Sequence, residues 1–90
     1  MTRPLADIAY VESNDTEVRI VTLSGEAYRN RTGIGQWENL LGDDFLRIHR
    51  SYLVNASLAT LHSPDTVTIA DAELPVSRKY REEVQIILTK

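Results

Sequence analysis

Turn-forming residues interrupt this chain so often that long helices are excluded over most of its length. Short apolar segments alternate with clusters of Ser, Asn, Asp, Gly and Pro, a pattern typical of short strands joined by turns. Because 90 residues suffice for one domain, we predict a single, mainly β domain. The predicted strands are 8–12, 18–23, 26–29, 45–50, 51–55, 58–62, 67–69 and 73–76. Pro75 lacks an N–H group, so the last of them is predicted to be an edge strand or to end there.

Two segments have helical periodicity instead. The first is 32–42, where Gly42 suits the positive φ that often follows a helix. The second is 78–88, which the Ser77 side chain is predicted to cap. Cations at its start are unfavourable, because the N-terminus of a helix is already partially positive. Unfavourable local placement of this kind indicates a functional role for these residues. These cations are Arg78, Lys79 and Arg81, and the predicted apolar stripe is Tyr80, Val84, Ile87 and Leu88.

The net charge of −3 hides a strong polarisation along the sequence. Residues 45–61 and 75–81 contain no acid and together carry a charge of +5, which leaves −8 on the remaining chain. Local potential rather than net charge decides phosphate binding. If these two segments meet in space, they form an anion-binding patch on an acidic domain.

Several functional classes find no support in the sequence. The chain has no cysteine, which excludes disulfides, thiolate zinc sites and a cysteine nucleophile. His49 and Ser51 imitate a base and nucleophile but lie in no nucleophile motif, and His49, His62 and Asp65 lack metal-ligand spacing. We therefore expect no enzyme, metal or cofactor. Without a signal peptide or a long apolar segment, we expect a cytoplasmic protein that does not contact membranes.

Two motifs resemble the LytTR DNA-binding domain. The segment FLRIHRSYLVN at 45–55 is similar to the central family signature, roughly F-x-R-x-H-R-S-y-x-V-N. The segment LPVSRKY at 74–80 is similar to the closing L-p-V-S-R-x-y, and 8–13 resembles the opening strand. This resemblance implies stacked antiparallel β-sheets with little helix, here one short internal helix and a C-terminal helix. It also implies a linker remnant or N-terminal extension at 1–7 and the DNA-binding domain at 8–90.

The resemblance further implies the output domain of a bacterial response regulator of the AlgR, AgrA and LytR group. Such domains bind paired DNA repeats as two protomers, enter major grooves with loops and bend the duplex. The partners implied are double-stranded DNA, a receiver domain and a second protomer on DNA. The base-contacting residues carried over are Arg78, Arg50, Asn14 and Thr16. The residues carried over for contacts to the DNA backbone or for support of the site are Arg47, His49, Ser51, Lys79, Arg19, Ser77 and Asn55.

The loop at 14–17 departs from the family pattern. It carries Asp15 and Glu17 where a histidine, tyrosine or basic residue is common. A carboxylate can accept a hydrogen bond from cytosine, yet the phosphates repel it. This acidic loop motivates the alternative that the chain is a protein-interaction module that has kept the LytTR fold and lost DNA binding.

Overall fold

The computed structural model describes residues 7–14 and 16–89 and confirms a mainly β fold with two antiparallel sheets and two helices. Most of the predicted extension at 1–7 lies outside these described residues, as do Asp15 and Lys90. The strands are β1 (Ile8–Ser13), β2 (Val18–Thr22), β3 (Ala27–Asn30), β4 (Phe45–His49), β5 (Tyr52–Asn55), β6 (Thr60–Ser63), β7 (Thr66–Ile69) and β8 (Ala72–Pro75). The helices are α1 (Ile34–Leu41) and α2 (Arg81–Leu88).

The larger sheet has five strands in the order β3-β2-β1-β5-β4, and the smaller has three in the order β6-β7-β8. Both are antiparallel throughout. Pro75 ends β8, which is an edge strand, so the missing N–H breaks no ladder between strands and the prediction for Pro75 is confirmed. The turn before β8 lies at 70–71, where Ala70 and Asp71 take the positive φ values of 50° and 64°.

Both faces of β1, β2, β4 and β5 in the five-stranded sheet are covered, which explains why these strands do not alternate cleanly, whereas the edge strand β3 is exposed. In β2, Ile20 packs in a cluster with Leu41 of α1, whereas Val21 packs in a second cluster with Val84 of α2. The β1–β2 pairing also shifts register between Ile8 and Tyr10. Strands buried on both sides contain adjacent apolar residues, because each face needs its own. The molecule therefore has α1 on one side of the sheet, and the small sheet with α2 on the other.

Helix α1 lies within the predicted segment 32–42. Gly42 follows its last residue with a φ of 73°, as predicted, and its N–H donates to the carbonyl of Glu38. Residues Gly42–Asp44 then form an exposed 3₁₀ turn that leads into β4. Trp37 packs on the α1 side of the core.

The C-terminal segment differs from the single capped helix that was predicted. Arg78–Tyr80 form a 3₁₀ turn, and Ser77 makes no side-chain capping bond. Because α2 begins only at Arg81, Arg78 and Lys79 precede the α-helix, and its first turn contains Glu82 and Glu83. Acids suit this end of a helix, so the predicted electrostatic conflict is much weaker than the sequence indicated. Ile87 is also 37% exposed and does not join the core with the rest of the predicted stripe.

Candidate nucleic-acid interface

Two connections lie at the same end of the five-stranded sheet. They are the β1–β2 loop, residues 14–17, and the β4–β5 turn, residues 50–51. The N–H of Ser13 donates to the carbonyl of Ser51 over 2.8 Å, which joins the base of the loop to the turn. The two predicted contact regions of the central strands therefore form one continuous end of the fold.

Arg47 supports the β4–β5 turn from the α1 side of the sheet. Its Nε donates to the carbonyl of His49 over 2.8 Å, and its Nη2 donates to the carbonyl of Arg50 over 2.6 Å. Its Nη1 pairs with Oε1 of Glu38, on α1, over 2.8 Å. Only 15% of the Arg47 side chain is exposed. Of the two roles predicted for Arg47, these contacts fit support of the site rather than contact with a phosphate.

His49 and Ser51 meet inside the turn. The N–H of Ser51 donates to Nδ1 of His49 over 3.1 Å. An accepting Nδ1 assigns the imidazole proton to Nε2, so His49 presents a donor on its other nitrogen. The His49 ring also lies 5.5 Å from the Tyr52 ring, centroid to centroid. His49 thus fixes the turn through Nδ1 and keeps its Nε2 N–H for an outside acceptor.

The second basic segment lies along the outer edge of β4. The N–H of Ser77 donates to the carbonyl of Ile48 over 2.9 Å, which satisfies an edge group of the sheet. Arg78 directly follows Ser77, and Arg50 lies two residues after Ile48. The bond therefore brings Arg78 and Arg50 to the same edge of the sheet. The structure therefore brings together the two acid-free segments, as the charge pattern required for a single patch.

The cations of this patch differ in their exposure and in their side-chain partners. Arg50, Arg78 and Lys79 are exposed. Within residues 7–14 and 16–89, no ion pair or side-chain hydrogen bond engages the guanidinium groups of Arg50 and Arg78. Lys79 places its Nζ 5.4 Å from the Tyr80 ring centroid. In the described part of the chain, Arg50 of the turn and Arg78 of the 3₁₀ segment are thus exposed cations without a side-chain partner.

A row of polar side chains crosses the same end of the sheet from β3 to β4. Cross-strand pairing aligns Arg29, Arg19, Glu12, Tyr52 and His49. Glu12 accepts from Nε and Nη2 of Arg19 at 3.1 and 3.0 Å, and from the Tyr52 hydroxyl at 3.1 Å. Burial and the nearby Glu12 carboxylate raise the pKa of Tyr52. Arg19, a predicted phosphate contact, is therefore already paired with an acid.

The acidic β1–β2 loop has its own partner. The N–H of Asn14 donates to the carbonyl of Glu17 over 2.8 Å, and Asn14 and Thr16 are exposed. Glu17 lies 3.8 Å from Nε of Arg29, whose side chain is 78% exposed. Sequence reasoning missed Arg29, although the β2–β3 hairpin register, which opposes it to Arg19, could have located it.

Asn55 is not part of this surface. It ends β5, away from the β4–β5 turn, and is 4% exposed. Its Nδ2 donates to the carbonyl of Ile8 over 3.0 Å, and its Oδ1 accepts from the N–H and hydroxyl of Ser57. These bonds satisfy a buried amide, so Asn55 supports the core at the opposite end of the sheet.

Within residues 7–14 and 16–89, no three His, Asp or Glu side chains are grouped so that they could hold a metal ion. No helix in that part of the chain has the length and apolar character needed to cross a membrane.

Comparison with known proteins agrees with the motifs. The sequence model of the LytTR DNA-binding domain family matches residues 1–89. Among solved structures, a LytTr DNA-binding domain described as part of a response regulator from Bacillus cereus superposes with a TM-score of 0.79. The match covers 100% of this chain and 88% of that one at 22% identity, which establishes the shared fold. No curated protein sequence matches the chain. The family match over nearly all residues shows that this chain belongs to the LytTR DNA-binding domain family.

Proposed function

We propose that this domain binds a specific double-stranded DNA site as the output part of a bacterial transcriptional regulator. The observation that carries the proposal is the Ser77–Ile48 hydrogen bond, which joins two acid-free basic segments into one surface. Exposed arginines on an otherwise acidic domain concentrate the favourable potential for phosphates on this surface.

The exposed residues divide into base and backbone contacts. Arg78 and Arg50 suit base contacts, because a planar guanidinium pairs bidentately with guanine O6 and N7. His49, Ser51 and Lys79 suit phosphates, with the Nε2 proton of His49 as a donor. Asn14 and Thr16 contact bases from the β1–β2 loop in this proposal. Arg47 and Ser77 support the site through the bonds described above, and Arg19 does so through Glu12, whereas Asn55 supports the core at the opposite end of the sheet.

The larger assembly also belongs to the proposal. The β1–β2 loop and the segment that carries Arg78 enter successive major grooves and bend the duplex, and two protomers occupy paired repeats. The Bacillus cereus domain is described as part of a response regulator, which supports a receiver domain in the full-length protein and a cytoplasmic location. Binding, rather than catalysis, is the proposed activity.

Selection from random duplexes tests the proposal. We expect one enriched motif, and binding of the winning duplex should weaken steeply as salt rises. Arg78→Ala should cost about 1–3 kcal/mol and relax specificity at one base pair. Arg78→Lys keeps the charge and loses the planar fork, so it should retain the salt dependence and lose the base preference.

Lys79→Ala is the matched control, since it removes a neighbouring exposed charge. It should weaken binding to all duplexes about equally and leave the selected motif unchanged. An unchanged motif and affinity for Arg78→Ala would refute the role of Arg78. No enriched motif together with no salt dependence would favour the protein-interaction module.

A further inference from the structure

We propose that Glu38, on α1, is a positioning residue for the β4–β5 turn and acts on DNA binding through Arg47. The inference rests on the proposed function, because the turn matters only if it contacts DNA. Neither the charge pattern nor the family signature points to Glu38, which lies outside both acid-free segments.

The contacts form a chain from the helix to the exposed turn. Glu38 pairs with Nη1 of Arg47, and the other two nitrogens of the same guanidinium hold the carbonyls of His49 and Arg50. The guanidinium is planar and rigid, so its three nitrogens are oriented together. A carboxylate that fixes one edge of this plane therefore also fixes the two bonds to the turn.

The turn needs this support because the strand ladder is irregular beside it. The β4–β5 register shifts between Arg47 and His49, so Ile48 has no partner in the β4–β5 pairing. Next to such an irregularity, fewer ladder bonds define the path of the backbone. The carbonyl held by Nη2 belongs to Arg50, the exposed cation at the tip of the turn. The position of the Arg50 backbone thus depends on a contact made by α1.

Simple electrostatics and positioning predict opposite signs for the loss of this acid. Removing a negative charge from a DNA-binding domain reduces repulsion of the phosphates and raises affinity. If Glu38 orients Arg47, the same removal loosens the turn and lowers affinity. The sign of the change therefore separates the two explanations.

The experiment measures the affinity of the whole chain for its selected duplex, at a temperature where circular dichroism shows every variant folded. Glu38→Gln should weaken binding about fivefold, since a charge-assisted bond becomes a neutral one. Asp43→Asn is the matched control, because it makes the same charge change at an exposed residue of the 3₁₀ turn. It should bind as well as the parent chain or slightly better.

Glu38→Asp is the second variant and leaves the net charge unchanged. Its shorter side chain draws the carboxylate back from Arg47, so affinity should again fall. Amide hydrogen exchange at residues 49–51 should speed up in both Glu38 variants and stay unchanged in Asp43→Asn.

Two outcomes overturn the inference in different ways. If the parent chain selects a duplex and both Glu38 variants bind it as tightly as the parent, Glu38 has no positioning role and the proposed function stands. If the parent chain selects no duplex, the proposed function fails and the inference fails with it.

Discussion

The β1–β2 loop and the β4–β5 turn leave the same end of one sheet, yet they are built in opposite ways. Three side-chain bonds define the turn, two from Arg47 to backbone carbonyls and one from the Ser51 N–H to His49. The described part of the loop has one internal backbone bond, from Asn14 to Glu17, and one exposed ion pair. The turn presents a cation without a side-chain partner in the described residues, whereas the loop presents Glu17, whose carboxylate is paired with Arg29.

This difference indicates a division of labour on one surface. Arg47 holds the backbone of the turn, so the Arg50 side chain is exposed and has no side-chain partner in the described structure. In the loop, the ion pair between Glu17 and Arg29 engages both charges at the surface. We expect the turn to set the orientation of bound DNA and the loop to tune its affinity. The following substitutions test this comparison, beginning with the largest expected effect.

Arg47→Ala should remove the side-chain bonds that make the β4–β5 turn better supported than the β1–β2 loop. It breaks a partly buried ion pair and leaves two turn carbonyls without their donors, so we expect the free energy of unfolding to fall by about 2–3 kcal/mol. Denaturant unfolding measures this change. Arg50→Ala, in the same turn, should change stability by less than about 0.5 kcal/mol and still weaken DNA binding. Equal stability losses would contradict the assignment of Arg47 as the support.

Tyr52→Phe tests the polar row that links the two connections. Loss of the hydroxyl bond to Glu12 should cost about 1 kcal/mol at neutral pH. The pKa of Tyr52 is raised in the folded state, so its contribution is complete below the unfolded value of about 10 and is lost as pH rises through the folded value. Stability of the parent chain should therefore fall more steeply than that of Tyr52→Phe above about pH 10. Parallel curves from denaturant titrations would reject this link.

The smallest effects are expected in the acidic loop. An exposed pair at 3.8 Å contributes less than about 1 kcal/mol, so Glu17→Gln should leave stability nearly unchanged. It should raise DNA affinity about two- to threefold at low salt, because a charge that repels phosphates is removed and Arg29 is released.

The double variant Glu17→Gln with Arg29→Gln, compared with Arg29→Gln alone, tests whether the release of Arg29 contributes to the gain in affinity. If the released Arg29 contacts a phosphate, Glu17→Gln should raise DNA affinity less when Arg29 is also replaced. The slope of log affinity against log salt should then be smaller by about 0.9 in the double variant than in Glu17→Gln alone. An equal gain with and without Arg29 would mean that Glu17 acts through repulsion alone.

Local chemistry made much of the fold predictable from sequence. Gly42 and Pro75 were placed correctly because each reflects a backbone restriction that operates within one or two residues. The C-terminal helix was less predictable, since the bond from Ser77 to Ile48 is made 29 residues away along the chain. That tertiary bond holds Ser77 against β4, and a 3₁₀ turn precedes the helix where periodicity predicted regular α-helix.

The candidate site divides in the same way. The sequence by itself determined the family, the mainly β fold and the concentration of positive charge in two segments, because motifs, periodicity and charge are all visible along the chain. Only the tertiary structure decided that Arg47 is held while Arg50 is free, although three positions separate them. The deciding partners, Glu38 for Arg47 and Glu12 for Arg19, lie on other elements. A side chain's availability to DNA depends on which distant groups the fold brings within hydrogen-bonding distance.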